Sequence, residues 1–431
     1  MSYKGYRVIL FKLVLIIGFF LFLWGCRNTS SLEQSTATRK ELIGDLVPVR
    51  ILDKHLIHEK IEAGKEYLLR TMHPTKYGFY KKYDALKNKA EKRLRTIYSA
   101  SSLYTFLKIS DLDQDPRVIQ AIPHIADFLL SMQVKENERK GAFYYSYYLK
   151  TDQKEPAFVV GTAAKTIFTL LELYRRKQDQ KYLETAKAAG DWLLRMRNPD
   201  GSIINYVKYI NNQWVYGKKF SCLYTGQVLS AFSRLYRTTL DERYYDAALQ
   251  LARGFASKAQ TDSYFAKDEY RSSADPIPTS WMVMSLLDFY KINKEIFAKE
   301  AMLKLAEELL KQQMKDPKDI LNFGRFEGTE ATSGNGWITE VMTEFYRVCK
   351  EEKWSNCEKY KKTVILTIRW LIQNTYSKEN TFFLKQPESA IGGLIRNPYE
   401  ENVRTDAVCH GMNGYMNIYD DLDDSVLVDV N

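Results

Sequence analysis

Apolar residues recur at helical spacing in segment after segment of this chain, and polar or Gly- and Pro-containing breaks separate the segments. One aromatic stretch, 143–148, is strand-like instead. The pattern predicts twelve helices, so the expected fold class is all-α. The predicted helix cores are 52–70, 95–109, 116–133, 158–176, 180–196, 221–237, 241–257, 278–292, 295–313, 335–351, 356–375 and 404–420.

The twelve segments alternate between two kinds of helix. One kind has a single apolar stripe opposite a charged face, as at 182–186 and 245–248, and is expected on the outside, facing water. The other kind starts with small or polar residues and is apolar around most of its circumference, so other helices should surround it. These inner segments begin near Ile97, Val160, Leu223, Thr279, Gly336 and Thr405.

The links between segments also alternate. Links from an inner to an outer segment are short, as at 176–179 and 238–241, which makes the two helices antiparallel neighbours. The return links are long and rich in Gly, Tyr, Trp and Asn. They must all emerge at the N-termini of the inner helices, where we expect a ligand site. The long links are 198–220, 260–277, 315–334 and 376–403.

This arrangement resembles the (α/α)6 toroid, a ring of six helical hairpins around a central cleft that many carbohydrate-active enzymes share. The segment Leu223–Phe232, followed by Arg234–Tyr236, resembles the Gly-Gln inner helix of the C-terminal domain of glucuronyl C5-epimerases. Related helices of sugar 2-epimerases and unsaturated-uronyl hydrolases are similar. The resemblance implies a sugar-processing enzyme, although the catalytic tyrosines of the epimerases are not found in register.

The N-terminus has the order of an export signal, in which cations precede an apolar run at 13–24 and then Gly25 and Cys26. Leu23–Cys26 resembles the lipobox of bacterial lipoproteins, which implies cleavage after Gly25 and a lipid on Cys26. The alternative is an uncleaved signal anchor that ends at a cysteine by chance. Either reading places the body of the protein outside the cytoplasm, in the cell envelope. Arg27, in place of a retention aspartate, favours the outer membrane.

We therefore expect a signal peptide at 1–25, a lipidated flexible tether at 26–45 and one toroid domain at 46–431. The formal charge is +10, and loss of the signal peptide removes three cations and no anion, which leaves +7. The charges alternate along most helix faces, which indicates a solvated surface and no nucleic-acid partner. Cys349 and Cys357 flank a short turn, near enough in sequence for a disulfide.

The link 322–330 and the helix after it combine carboxylates, a guanidinium and an aromatic ring. We expect Arg325 to bind a uronate carboxylate and Trp337 to stack on a sugar ring. The alternative is that Glu340 is an ordinary helix residue and that the link is only a turn. The carboxylates expected to act as acid or base are Glu327, Glu330 and Glu340.

A second cluster lies at the start of the last inner segment. Asp406 and His410 are four residues apart, so they should share a helix face on which the carboxylate orients the imidazole. Arg404 should neutralise the substrate carboxylate beside this catalytic pair, and Arg396 is expected to bind substrate. The alternative is a structural role, in which Thr405 or Asp406 caps the helix and His410 forms its hydrogen bonds inside the ring.

Weaker candidates precede other inner segments. Asp275, Tyr145 and Tyr224 are expected to bind substrate, and a tyrosine beside a cation can also donate or accept a proton. The sequence has no phosphate loop, dinucleotide fingerprint, nucleophile elbow or clustered metal ligands. We therefore expect no cofactor and no metal.

Three functions fit this sequence. The first is an enzyme that acts on an extracytoplasmic, uronate-containing polysaccharide or oligosaccharide by epimerisation, elimination or hydrolysis. The second is a non-catalytic lipoprotein that holds a glycan or an envelope partner in the same cleft. The third is an isoprenoid-type toroid, which needs an acidic motif at the cavity. Only the terminal run 420–424 resembles such a motif, and a solvated acidic tail explains it more simply.

Overall fold

Twelve α-helices follow one another in the residues that the computed structural model describes, which are 51–261, 276–397, 399–422 and 425–427. All twelve belong to one compact unit, residues 48–397 and 401–431. The helices are α1 (Lys54–Thr71), α2 (Thr96–Leu112), α3 (Pro116–Ser131), α4 (Val160–Lys177), α5 (Gln180–Arg195), α6 (Cys222–Thr239), α7 (Glu242–Thr261), α8 (Pro276–Asn293), α9 (Ile296–Lys311), α10 (Thr332–Glu351), α11 (Glu358–Gln373) and α12 (Thr405–Ile418).

The even-numbered helices form the inner ring and the odd-numbered helices the outer ring. In α8 every residue from Pro276 to Tyr290 is buried, whereas α5 buries only one stripe. Each inner helix contacts the next, and α12 contacts both α10 and α2, so the inner ring is closed. Each predicted segment overlaps one of the twelve helices, and the predicted all-α (α/α)6 toroid is confirmed.

Short strands occupy the return links and the two ends of the described chain. They form three small antiparallel sheets with the orders β10-β11-β2-β3, β4-β5-β6 and β7-β8-β9, and a terminal pair, β1-β12. The strands are β1 (Ile51–Asp53), β2 (Lys82–Asp84), β3 (Lys89–Ala90), β4 (Arg93–Arg95), β5 (Ser146–Tyr148), β6 (Gln153–Lys154), β7 (Ala157–Val159), β8 (Tyr206–Ile210), β9 (Gln213–Tyr216), β10 (Ile395–Asn397), β11 (Glu400–Arg404) and β12 (Ser425–Leu427).

These strands hold the N-terminal ends of the inner helices in place. β4, β7 and β11 run without a break into α2, α4 and α12. Only β5 falls within the stretch that looked strand-like in the sequence. Most of the other strands are two to five residues long, too short to show a period of two in the sequence. The terminal pair joins the ends of the ring, because Ile51 lies opposite Leu427.

Three of the short links between inner and outer helices share one backbone feature. Gln178, Leu240 and Lys294 each follow an inner helix directly and adopt a left-handed conformation, with φ of 53°, 57° and 62°. A left-handed residue after a helix satisfies the last carbonyls and reverses the chain. The next helix therefore starts within two residues and packs antiparallel, as the short links predicted.

A glycine with positive φ in the return links touches the next outer helix. A Cβ on Gly141 would lie 1.9 Å from the carbonyl oxygen of Ala188 in α5. A Cβ on Gly392 would lie 2.0 Å from the carbonyl oxygen of Ala63 in α1. The second contact lies between the last return link and the first helix, so the same device serves where the ring closes.

We expect Gly392→Ala to lower the free energy of unfolding by about 2–4 kcal/mol, because it adds both left-handed strain and a backbone clash. The matched control is Gly254→Ala in α7, where a Cβ meets nothing within 4 Å. This control should be neutral or stabilising by up to about 1 kcal/mol. Urea unfolding followed by circular dichroism measures both. Equal midpoints for Gly392→Ala and the parent chain would show that the contact is dispensable.

Some sequence predictions lie outside the described residues. They concern the signal peptide, Cys26, the tether and Asp275. Within the described residues, Cys349 and Cys357 are joined by a disulfide with a Cα–Cα distance of 5.8 Å. No helix in the described ranges combines the length and the hydropathy that a bilayer span needs.

Candidate active site

The N-terminal turns of the six inner helices surround a cavity of about 550 Å³ on the side where the return links emerge. The inner helices are parallel and start at the same level, so residues with the same ordinal number form a layer around the axis. The sixth residue of every inner helix lines the cavity. These residues are Ser101, Lys165, Gln227, Trp281, Trp337 and His410.

A smaller chamber of about 20 Å³ lies one helical turn further along the axis, with room for about one water molecule. It shares four lining residues with the cavity, namely Ser101, Lys165, Trp337 and His410. Thr169, Arg234 and the ninth residue of five inner helices complete its wall. The ninth residues are Tyr104, Phe168, Met284, Glu340 and Asn413.

His410 and Glu340 form a hydrogen-bonded pair between these two layers. His410 Nδ1 is 2.7 Å from Glu340 Oε2, and both side chains are nearly buried. Asn413 Nδ2 donates to the other carboxylate oxygen at 3.2 Å, and Thr105 Oγ1 donates to Asn413 at 3.1 Å. The partner of His410 is thus on the neighbouring helix α10, and this network fixes the orientation of the imidazole.

The expected pairing of His410 with Asp406 is wrong, because Arg404 binds Asp406 instead. Arg404 Nε donates to Oδ1 at 2.9 Å and Nη2 donates to Oδ2 at 2.6 Å. The same Nη2 donates to the hydroxyl of Tyr98 at 2.9 Å. A bidentate guanidinium in β11, just before the helix, satisfies the carboxylate better than an imidazole one turn away.

Glu340 is held as a carboxylate. Its burial would raise the pKa, but the hydrogen bond and charge of His410, together with Lys165 and Lys108, lower the pKa to about 2. In a neutral imidazole, Nδ1–H of His410 donates a hydrogen bond to the anionic Glu340, and the lone pair then lies on Nε2. The pair therefore has the arrangement of a general base with its orienting carboxylate.

Two stacked tryptophans form an aromatic wall beside His410. The rings of Trp281 and Trp337 are 3.8 Å apart and inclined by 19°. The edge of His410 meets Trp337 at 5.1 Å between ring centroids. Trp337 was predicted as a stacking residue, whereas Trp281 was not, although it stands in the first turns of an inner segment as Trp337 does.

Lys165 is a second residue that the sequence analysis missed. Its Nζ lies 4.9 Å from the ring centroid of Trp337 and 5.4 Å from that of Trp281. Burial lowers its pKa, although the charge of Glu340 opposes the shift. No described carboxylate lies within ion-pair distance of its ammonium group. The sequence could have identified Lys165 because it is a single lysine in the otherwise apolar first turns of an inner helix.

The cavity carries a surplus of three positive charges. Asp406 is the one carboxylate among its described lining residues, and it is already paired with Arg404. Three buried polar atoms of lining residues have no hydrogen-bond partner among the described residues, namely Thr162 Oγ1, Gln227 Oε1 and Trp337 Nε1. The positive surplus of the cavity suits an anionic ligand. The four cations are Lys81, Lys165, Arg396 and Arg404.

The structure brings most of the predicted site residues to the cavity or the chamber. Glu340 lines the chamber, and the others line the cavity; these are Trp337, Asp406, His410, Arg404, Arg396, Tyr145 and Tyr224. The tyrosine Tyr98, which was not predicted, also lines the cavity. The described residues contain no group of three or more His, Cys, Asp or Glu side chains suited to a metal ion.

In the link 322–330, Thr329 lines the cavity, whereas the predicted residues Arg325, Glu327 and Glu330 do not. Arg325 braces its own link, because Nε donates to Asn322 at 2.6 Å and Nη1 donates to the carbonyl oxygen of Phe326 at 3.1 Å. Phe326 is fully buried, and the next residue, Glu327, is exposed to solvent. Glu330 is also exposed and does not line the cavity.

We therefore expect Glu327→Gln to leave glycan turnover within about twofold of the parent chain, as is usual for exposed positions. Glu330→Gln should behave in the same way, and both are read in the turnover assay proposed below. A tenfold loss in either variant would return this link to the active site.

The chain resembles one protein family over part of its length. Residues 122–227, about a quarter of the chain, match the model of the ulvan lyase N-terminal domain. The match begins inside α3 and ends at Gln227, so it includes Lys165 and Tyr224 of the cavity. No curated protein sequence matches at a significant level.

Solved structures share the fold at low sequence identity. Cellobiose 2-epimerase from Bacillus thermoamylovorans is 16% identical, with a TM-score of 0.63 over 85% of this chain and 99% of that chain. A GH76 α-mannanase from Bacteroides thetaiotaomicron is 12% identical, with a TM-score of 0.62 over 84% and 94%. The unsaturated glucuronyl hydrolase from Streptococcus agalactiae is 13% identical, with a TM-score of 0.62 over 87% and 94%. These likenesses confirm the (α/α)6 toroid.

Proposed function

We propose that this protein is a carbohydrate-active enzyme that cleaves a uronate-containing glycan by elimination. The observation that carries the proposal is the positively charged cavity with the His410–Glu340 pair at its floor. A surplus of cations favours an anionic sugar, and the aromatic wall of Trp281 and Trp337 suits a pyranose face. The partial match to a lyase domain and the resemblance to sugar-processing toroids support the same reading.

In this mechanism His410 acts as the base. Its Nε2 takes the proton from the sugar carbon that bears the carboxylate, and the electron pair forms a double bond to the neighbouring carbon. The bond from that neighbour to the glycosidic oxygen breaks, and the leaving oxygen takes a proton from a tyrosine. Lys165 and Arg396 neutralise the carboxylate, which makes the adjacent proton more acidic.

Tyr224 is the proton donor that we favour. It belongs to α6, which stands three inner helices away from α12, so it faces His410 across the cavity. Tyr98 and Tyr145 line the same cavity and are the alternatives. Burial, and then the charge of Asp406, raise the pKa of Tyr98, so its hydroxyl keeps its proton.

Hydrolysis fits the geometry less well than elimination. Hydrolysis of a glycosidic bond ordinarily uses two carboxyl groups, one as acid and one as base or nucleophile. Asp406 is bound by Arg404, and Glu340 is bound by His410. The same two pairings of the carboxylates favour the second candidate function, a glycan-binding protein without turnover. An isoprenoid-type site is disfavoured because Asp420 and Asp421 follow the C-terminal end of α12, whereas the cavity lies at its N-terminal end.

The test incubates the chain with ulvan, alginate, polygalacturonate and a neutral glucan in deuterated water. Elimination shortens an anionic polymer and creates an unsaturated uronate, which ultraviolet absorbance and NMR detect. Deuterium at C5 without shortening would establish epimerisation instead. Binding shifts without turnover would leave the glycan-binding function, and products without a double bond would establish hydrolysis.

We further propose that the chain is an exported lipoprotein anchored at Cys26 in the cell envelope, with the outer membrane favoured. The export-type N-terminus and Leu23–Cys26 support this localisation. Mass spectrometry of the membrane-bound chain should find lipid on Cys26, and Cys26→Ser should release the protein into the soluble fraction. An unlipidated chain that starts at Met1 would favour the signal anchor.

A further inference from the structure

A small sheet beside the cavity has two different faces. In β7-β8-β9, Val159 lies opposite Tyr206, and Lys208 lies opposite Val215. Cross-strand partners share a face and side chains alternate along each strand. Val159, Tyr206, Lys208, Val215 and Ile210 therefore lie on one face of the sheet, which we call the ledge.

Protein covers the opposite face at Val207 and Trp214, whereas Tyr209 and Tyr216 on that face are 44% and 46% exposed. Val207, Tyr209 and Trp214 lie on it, by the same alternation and pairing. Trp214 stacks on Phe158 at 5.6 Å, and the guanidinium of Arg139 covers the Trp214 ring at 3.7 Å. This face fastens the hairpin to the rest of the domain, whereas much of the ledge stays open.

The ledge continues the wall of the cavity. Val159 lines the cavity, and Tyr206 is its partner on the next strand. Four further residues along β8 lead to Ile210, a distance of roughly 13 Å at the rise of a strand. The ledge thus extends from the cavity edge for about the length of two or three sugar units.

The chemistry of the ledge suits an anionic glycan. Lys208 Nζ lies 4.7 Å from the centroid of the Tyr206 ring, so an aromatic surface and a cation stand side by side. Val215 and Ile210 are 39% and 46% exposed, and they offer apolar contact for sugar faces. The three strands contain no Asp or Glu, so nothing within them repels a carboxylate or sulfate.

We infer that the ledge binds the part of an anionic polysaccharide that extends beyond the cavity. This inference rests on the proposed function for the identity of the chain in the cavity. It names the substrate as a polymer, because an oligosaccharide confined to the cavity would not reach Lys208 or Ile210.

The test measures retention of the full chain in native gels that contain ulvan, alginate or polygalacturonate, with laminarin as the neutral control. Tyr206→Ala and Lys208→Ala are each expected to weaken retention by at least about fivefold for an anionic polymer that retains the parent chain. Tyr209→Ala is the matched control, because this tyrosine lies on the same strand, is 44% exposed and belongs to the opposite face. The control should keep the retention of the parent chain, and thermal melting checks that all variants fold.

Two outcomes would overturn the inference. One is the absence of retention by every anionic polymer, and the other is equal loss in Tyr206→Ala and Tyr209→Ala. Failure of the proposed function is distinguishable, because it would appear as absence of turnover in the cleavage assay. The His410→Ala chain should still be retained in these gels. If retention depends on Tyr206 but no turnover is found, the ledge remains supported as a glycan-binding surface.

Discussion

His410→Ala should lower kcat for glycan cleavage by about 10³-fold, within the range that a positioned general base contributes. The imidazole lines the cavity, and its Nδ1 is held 2.7 Å from Glu340. Without it, no other described histidine lines the cavity to take the proton. Loss of product absorbance at saturating substrate measures the effect, and KM should change little because the binding cations remain.

Glu340→Gln separates the catalytic role of this pair from simple packing. The amide keeps the shape of the carboxylate but can no longer hold a negative charge beside Nδ1. We expect kcat to fall by about 10²-fold or more, with the fold intact by circular dichroism. Thr105→Val, which removes the hydroxyl that supports Asn413, should reduce kcat only slightly. Full activity in both His410→Ala and Glu340→Gln would contradict the proposed base.

The helices were readable from the sequence because burial differs so strongly between the two rings. An inner helix such as α8 is surrounded by protein, and an outer helix such as α5 has one buried stripe, so their compositions differ. The left-handed residues Gln178 and Leu240 keep the connecting links short, and the length of these links can be read from the sequence. The strands were mostly missed, because pairs such as β2 and β11 form only when distant links meet.

The site was only partly predictable because its contacts join distant residues. Trp337 and His410 were found from their place at the start of inner segments. The pairing of His410 with Glu340 spans 70 residues of sequence, and no local spacing reveals it. Asp406 was misassigned because local spacing counts positions on one helix and ignores the strand residue Arg404 that binds it. Glu327 is exposed and lies outside the cavity lining, and composition does not reveal that position.

The sixfold repeat of inner helices would have identified two of the site residues that were missed. Once helix starts are aligned, the sixth residue of each inner helix falls in the cavity layer, which selects Lys165 and Trp281 without reference to any family. The helix starts must be aligned without an error of even one residue, because a shift of one position turns a side chain by about 100° around the helix axis. Sequence periodicity alone gives helix ends less precisely than that.

Lys165→Met should lower kcat/KM by about 10²-fold and at the same time stabilise the fold. The activity falls because the variant removes a cation that stabilises the negative charge of the substrate carboxylate in the transition state. Loss of one such group typically lowers the rate by about 10²-fold. The gain in stability follows because burial lowers the Lys165 pKa below its ordinary value of 10.5, so the charged side chain opposes folding. Methionine keeps the length of the side chain and packs against the tryptophans without a charge.

The pH dependence distinguishes this account from loss of packing. A folded-state pKa below 10.5 means that the charge of Lys165 destabilises the fold fully at pH values below that folded-state pKa. The destabilisation disappears as the pH rises through the folded-state pKa towards 10.5. The gain in unfolding free energy of Lys165→Met should therefore be largest near pH 7 and shrink at alkaline pH. Lys181→Met, on the outer helix α5, is the control of opposite sign, because the hydrogen bond to Asp179 raises the Lys181 pKa and this variant should therefore not gain stability near pH 7. A variant that is less stable at pH 7, or fully active, would contradict a charged, substrate-binding Lys165.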